Sequence, residues 1–179
     1  AECLRRLHTQ GIIHADLKPE HLLLTGREGR YRLRLIDLDS GFLEEAPPSG
    51  GENMEGDPAY LSPEVFLRLM GEDAPLTTRL DTFSLGIVIH RLWTGELPAF
   101  DLDKYAYLYE AVLAGGDVRL SPRLPLAYRI AVQRMLRRDP LERPSDEEIA
   151  GLFYAPMGES GTGLEEEGPL NGLSRYLKK

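Results

Sequence analysis

The chain has 179 residues, 42% of them hydrophobic, which is enough for one ordinary domain with a buried core. Its formal net charge of −8 argues against a protein that binds nucleic acid or an anionic membrane, because both surfaces require a basic excess. The single cysteine, Cys3, excludes an internal disulfide and fits a reducing compartment, so we expect a cytoplasmic location.

The first 36 residues are predicted to form the end of a helix and one β-hairpin. Residues 2–9 place apolar side chains on one side and arginines on the other, as in a helix that ends near Gly11. Residues 21–25 and 31–36 are predicted strands, and in the second of them apolar and basic residues alternate. They flank the turn 26–29, so the sequence predicts an antiparallel hairpin.

The remainder is predicted to be a long loop followed by helices. Residues 40–58 show no sustained periodicity, which is typical of a functional loop. Residues 82–93 are apolar on almost every side, which predicts a buried central helix. The longest apolar run in it falls far short of the ~20 residues of a membrane span, so no membrane segment is expected. Further helices are predicted at 63–70, 103–114, 126–138 and 145–154.

These elements predict a mainly α fold with a small β-hairpin over residues 1–154. Ser145 followed by Glu148 is a capping box that should start the last helix. Beyond residue 154 the composition shifts to glycine, glutamate and serine, so residues 155–179 are expected to be a C-terminal tail or linker.

Two acidic motifs lie at either end of the predicted hairpin. Residues 14–21 read His-Ala-Asp-Leu-Lys-Pro-Glu-His, and Asp-Leu-Asp follows at 37–39. Three more motifs come later in the chain, at 56–64, 81–86 and 139–144. In this order, the five motifs resemble those of the C-terminal lobe of a eukaryotic-like serine/threonine protein kinase.

The resemblance implies a role for each catalytic position. Asp16 matches the residue that orients the attacking hydroxyl and accepts its proton, and Lys18 matches the cation beside the γ-phosphate of ATP. Asp37 matches the Mg²⁺ ligand, because that ion prefers hard oxygen donors. Leu23 matches a residue under the adenine ring. The implied cofactors are therefore ATP and Mg²⁺.

The resemblance also implies structural roles. His14 and Leu38 match members of the hydrophobic stack that couples the two kinase lobes. Asp81 matches the buried carboxylate that holds the catalytic loop. Glu64 and Arg143 match an ion pair that anchors the activation segment.

The chain departs from the family pattern at several of these positions. His21 replaces the asparagine that is the second metal ligand, and imidazole suits Zn²⁺ or other transition metals better than Mg²⁺. Asp39 replaces a glycine, which restricts the backbone there, and we expect its carboxylate to act as a replacement metal ligand. Asp57 replaces a threonine, and close to Asp16 it would raise one of the two carboxyl pKa values. Ala15 replaces an arginine that pairs with a phosphorylated loop, so this form of switching is not expected.

The implied function is phosphoryl transfer from ATP to serine or threonine hydroxyls of a protein substrate. The sequence contains no glycine-rich phosphate loop and no strand lysine, so we expect a fragment that needs an N-terminal kinase lobe in cis and is inactive alone. Two alternatives stay open. The chain could be a pseudokinase or scaffold that binds a partner protein, or a kinase-fold transferase that modifies something other than protein hydroxyls.

Overall fold

A computed structural model describes residues 2–27, 30–49, 54 and 56–154, and the predicted tail 155–179 lies outside them. Among these residues, 3₁₀ turns lie at Pro19–His21 and at Pro140–Glu142. The strands are β1 (Ile12–Ile13), β2 (Leu22–Arg27), β3 (Arg30–Leu35) and β4 (Phe42–Leu43). The helices are α1 (Glu2–His8), α2 (Pro63–Leu69), α3 (Arg79–Thr94), α4 (Leu108–Leu113), α5 (Leu126–Met135) and α6 (Asp146–Tyr154). None of these helices is long and apolar enough to cross a membrane.

The four strands form two antiparallel pairs. β2 and β3 make the predicted hairpin, with Leu22 opposite Leu35. β1 and β4 pair through two residues each, with Ile13 opposite Phe42. This second pair lies partly in the segment predicted as an irregular loop, because two-residue strands carry no alternation to detect. It holds the chain before residue 14 beside the chain after residue 41, and so brings the two acidic motifs together.

Helix α3 is the centre of the core, as its apolar sequence predicts. Phe83 and Ile87 are fully buried, and α3 packs against α5. Gly86 permits this close approach, because a Cβ there would lie 3.0 Å from Cβ of Met135. Gly95, at φ 81°, ends the helix and donates its N–H to the carbonyl of Arg91.

Two helices are shorter than predicted, and side-chain hydrogen bonds lie at the ends concerned. The carboxylate of Glu110 accepts the N–H groups of Ala106, at 2.7 Å, and of Tyr107, at 3.2 Å, so α4 starts only at residue 108. Helix α5 ends at Met135, and beyond it the guanidinium of Arg143 binds the carbonyls of Arg137, at 2.8 Å, and Arg138, at 3.1 Å.

The predicted capping box starts α6. The N–H of Ser145 donates to Glu148 Oε2 at 2.8 Å. In return, the N–H of Glu148 donates to Ser145 Oγ at 3.2 Å. Each of the two hydrogen bonds satisfies a backbone N–H that would otherwise lack a partner at the start of a helix.

Candidate active site

The loop after β1 is fixed to the core by one carboxylate. Asp81, in the first turn of α3, is fully buried. Its Oδ2 accepts the N–H of His14 at 2.7 Å, and its Oδ1 accepts the N–H of Ala15 at 2.9 Å. Ala15 has a left-handed φ of 64°, which is costly for a residue with a Cβ. The two hydrogen bonds to Asp81 hold this strained turn in place.

The turn presents Asp16 as an ionised carboxylate. Its Oδ2 lies 2.7 Å from Lys18 Nζ, and its Oδ1 accepts the N–H of Asp57 at 3.0 Å. Burial opposes ionisation, but the Lys18 ammonium and the Asp57 N–H outweigh it and lower the pKa of Asp16. The same ion pair raises the pKa of Lys18.

The expectation that Asp57 raises a carboxyl pKa is therefore wrong for Asp16. Asp57 turns its backbone N–H toward Asp16, and its own Oδ1 accepts the N–H of Ala59 at 2.9 Å. Asp16 thus accepts a hydrogen bond from the main chain of Asp57, which favours its ionised form.

His21 connects Asp16 to the second acidic motif. Its Nδ1 lies 2.7 Å from the main-chain oxygen of Asp16, and its Nε2 lies 3.3 Å from Asp37 Oδ2. Asp37 has a φ of 64°, so the left-handed backbone of this motif is at Asp37 and not at Asp39, where the glycine was replaced. Asp39 is exposed and donates its N–H to Asp37 Oδ1 at a long 3.4 Å.

The donor chemistry of this motif fits Mg²⁺ at one position only. The Asp37 carboxylate is a hard oxygen ligand with a 48% exposed side chain. The imidazole of His21 is a nitrogen ligand and fits Mg²⁺ poorly. The role of Asp39 as a replacement ligand stays a prediction.

Three further positions were predicted to belong to the site: Leu23, Leu38 and His14. Leu23, in β2, and Leu38, in the second acidic motif, are each 45% exposed. His14 is fully buried, and its Nε2 lies 3.2 Å from the carbonyl oxygen of Ile36. Its Nδ1 has no hydrogen-bond partner among the described residues.

Glu64 and Arg143 form a buried, two-bonded ion pair. The two guanidinium–carboxylate distances are 2.6 and 2.8 Å, and both side chains are at most 4% exposed. Arg143 Nη1 also donates to the carbonyl of Arg79 at 2.9 Å, and its guanidinium lies over the ring of Phe83. The pair therefore joins the start of α2 to α3 and to the segment after α5.

His8 is a residue of this network that the sequence did not reveal. Its Nε2 lies 2.9 Å from Asp81 Oδ2, and its Nδ1 lies 2.8 Å from Asp146 Oδ2. Burial of the ring opposes its protonation, but the two carboxylates outweigh burial and raise the pKa of His8 to about 9. The partners are 73 and 138 residues away in the sequence, so no local pattern could have indicated them.

We expect the chain to lose stability between pH 6.5 and 9.5 through His8. The folded-state pKa of about 9 exceeds the ordinary 6.5, so protonation favours the folded chain. The contribution is complete below pH 6.5 and disappears as the pH rises through 9, and it amounts to about 3 kcal/mol at most. The measurement is urea unfolding at several pH values for the wild-type chain and for His8→Gln. Equal pH slopes in the two proteins would contradict the assignment.

Comparison with known proteins places this site in a family context. The sequence model described as protein kinase domain matches residues 1–154. Serine/threonine-protein kinase ULK3 from Rattus norvegicus is 31% identical over 168 residues, which cover 89% of this chain and 34% of that protein. Serine/threonine-protein kinase PkaA from Streptomyces coelicolor is 30% identical over 160 residues, with 88% of this chain and 28% of that protein covered. Calcium-dependent protein kinase 9 from Oryza sativa subsp. japonica is 30% identical over 152 residues, with coverages of 83% and 25%. The chain thus spans about a third or less of the length of these relatives.

Proposed function

Because the chain belongs to the protein kinase domain family, we propose that it is the C-terminal lobe of an enzyme that transfers phosphoryl groups from ATP to serine or threonine hydroxyls of proteins. The observation that carries this proposal is the geometry of Asp16. An ionised carboxylate lies 2.7 Å from the Lys18 ammonium, in a loop fixed by Asp81. The similarity to serine/threonine kinases supports the same reaction.

In this proposal Asp16 orients the substrate hydroxyl. Its lowered pKa keeps it unprotonated, so one oxygen can accept the hydroxyl hydrogen bond. A carboxylate of low pKa is a weak base, so it takes the proton late, once the oxygen has begun to bond to phosphorus. Lys18, next to it, offers positive charge to the transferring phosphoryl group.

Asp37 and Leu23 would contribute to nucleotide binding. The half-exposed Asp37 carboxylate can hold Mg²⁺, which when bound neutralises charge on the phosphates. Leu23 would offer its exposed side chain to the adenine ring. The proposal includes an N-terminal kinase lobe in cis that supplies the glycine-rich loop and the strand lysine, so the 179-residue chain alone should be inactive.

Calorimetric titration with ATP, with and without Mg²⁺, tests this proposal. It compares the chain alone with a protein that joins the chain to an N-terminal kinase lobe. We expect Mg²⁺-dependent binding only in the joined protein, because positioning of the phosphates requires both lobes. Phosphate transfer to a serine/threonine peptide pool should follow the same pattern.

The alternative is a pseudokinase or scaffold that binds a partner protein. The observation that favours it is the contact of His21 Nε2 with Asp37 Oδ2 at 3.3 Å, which engages the oxygen that a metal ion would need. Absence of nucleotide binding in the joined protein would select this alternative.

The partner and the compartment are further parts of the proposal. We expect a protein substrate rather than nucleic acid, in line with the family and with the net charge of −8. A cytoplasmic location is supported by the single cysteine, Cys3.

A further inference from the structure

A groove of about 480 Å³ lies beside α5, and residues from α4, from the turn after α4 and from the C-terminal end of α5 line it. This volume is in the range of about 300–1,000 Å³ that is typical of ligand sites. Arg137 and Arg138 line the groove. The apolar part of its lining belongs to the core or packs against it, and consists of Val112, Val118, Leu120 and Leu136. The groove therefore combines apolar surface with two positive charges.

The two arginines of the groove are exposed and form no ion pair with a carboxylate in the described part of the chain. Asp117 also lines the groove, but it is the partner of another arginine. Three other arginines of the segment 119–138 do have such a partner, in the pairs Arg119–Asp117, Arg123–Glu96 and Arg134–Glu148. Arginine binds a carboxylate through two parallel hydrogen bonds, so Arg137 and Arg138 favour a ligand that carries carboxylates.

An exposed apolar stripe on α5 leads into the groove. Leu126 is 63% exposed and Ile130 is 53% exposed. Gln133, which lines the groove, follows them at helical spacing, so the three residues share one face of the helix. A ligand that fills the groove can therefore also cover apolar surface beyond it.

The chain itself contains a segment of matching chemistry. Residues 164–170 read Leu-Glu-Glu-Glu-Gly-Pro-Leu, and they lie outside the described residues. The three carboxylates match the two guanidinium groups in charge. The leucine on either side of them matches the apolar lining and the stripe.

The connection to α6 brings this segment within reach of the groove. Helix α6 packs against α5, and Arg134 Nη2 lies 2.8 Å from Glu148 Oε1 between them. Ten residues separate Tyr154, at the end of α6, from Leu164, and ten extended residues span up to about 35 Å. The ten residues of α5 cover only about 15 Å. A short tether of this kind gives an effective concentration of about millimolar, which favours a ligand in the same chain.

We propose that residues 164–170 bind in cis in the groove beside α5. The carboxylates of residues 165–167 pair with Arg137 and Arg138, and a flanking leucine packs on Ile130. The inference uses none of the residues assigned to phosphoryl transfer, so it does not rest on the proposed function.

The experiment places a nitroxide spin label on the full 179-residue chain, four residues after the segment, at Ser174→Cys in a Cys3→Ser background. Amide signals are recorded by NMR with the label oxidised and again after its reduction by ascorbate. We expect the amides of residues 115–120 and 133–138 to lose at least half of their intensity in the oxidised sample, because a bound segment holds the label near them.

Charge reversal identifies the groups that hold the segment. Glu165→Lys/Glu166→Lys/Glu167→Lys should restore the intensity, because it places lysines against the arginines. Glu159→Lys is the matched control, since it makes the same change in the same tail outside the segment, and it should leave the loss of intensity as it is. Adding Arg137→Glu/Arg138→Glu to the triple variant should bring the loss of intensity back.

Three results would overturn the inference. Full intensity in the oxidised wild-type segment would show that the groove is open to an acidic segment of another protein. An equal loss of intensity in the triple lysine variant would exclude the carboxylates as the binding groups. A loss of intensity in an unlabelled ¹⁵N chain mixed with spin-labelled ¹⁴N chain would assign the groove to the tail of a second copy.

Discussion

The Arg143→Met variant is expected to lower the free energy of unfolding by about 3–5 kcal/mol, because it leaves the carboxylate of Glu64 buried without its partner. Glu64 is 3% exposed, so water cannot replace the two lost hydrogen bonds. The carbonyls of residues 79, 137 and 138 lose a donor in the same step. The loss of these bonds adds to the destabilisation, most where the carbonyl is shielded from water.

Urea unfolding followed by circular dichroism measures this effect. Arg137→Met is the matched control, since that side chain is exposed and its loss should change stability by about 0.5 kcal/mol or less. The double variant Glu64→Leu/Arg143→Met should recover much of the loss, because an apolar pair leaves no buried charge. A single-variant loss below 1 kcal/mol would show that water or another cation reaches Glu64.

The second large effect is expected at Asp16. In a protein that joins the chain to an N-terminal kinase lobe, Asp16→Asn should lower kcat by about 10²–10⁴-fold with little change in nucleotide affinity. Asparagine can still accept the N–H of Asp57, but it cannot take a proton and it loses the ion pair with Lys18. The loop should therefore keep its shape while losing the group that receives the hydroxyl proton.

Steady-state transfer of labelled phosphate to peptide, together with a separate nucleotide titration, checks this prediction. Asp103→Asn is the control, because it makes the same chemical change at an exposed carboxylate in the segment before α4. Unaltered turnover in Asp16→Asn would exclude Asp16 as the proton acceptor. Equal losses in both variants would point to a general effect of charge.

The sequence predicted the long elements because their patterns are long. The 16-residue helix α3 is apolar on nearly every side, and the hairpin alternates over six residues per strand. The pair of β1 and β4 was missed because two residues cannot show a period. The end of α5 was predicted at residue 138, but the helix stops at Met135; helix ends are weakly marked in a sequence because the last turn can continue the pattern without being helical.

The candidate site, too, was predicted only in part from the sequence. The motifs predicted which residue types would meet, and the structure brings Asp16, Lys18 and Asp37 into one region around His21. Residue types did not indicate that Asp57 faces Asp16 with its N–H, since the direction of a peptide group depends on the path of the chain. The bridge from His8 to Asp146 requires helices α1, α3 and α6 to be packed first, and so depends on the fold as a whole.

The carboxylate of Asp81 also influences which parts of the chain unfold locally. Surface loops usually exchange their amide hydrogens through small local fluctuations, far more often than a core helix does. The amides of His14 and Ala15 are instead bound to a side chain of α3, a helix whose residues are mostly buried. These two loop hydrogens can reach solvent only when the loop separates from that helix. The segment that carries Asp16 therefore belongs to the same cooperative unit as the core, and it should be among the last parts of the chain to open.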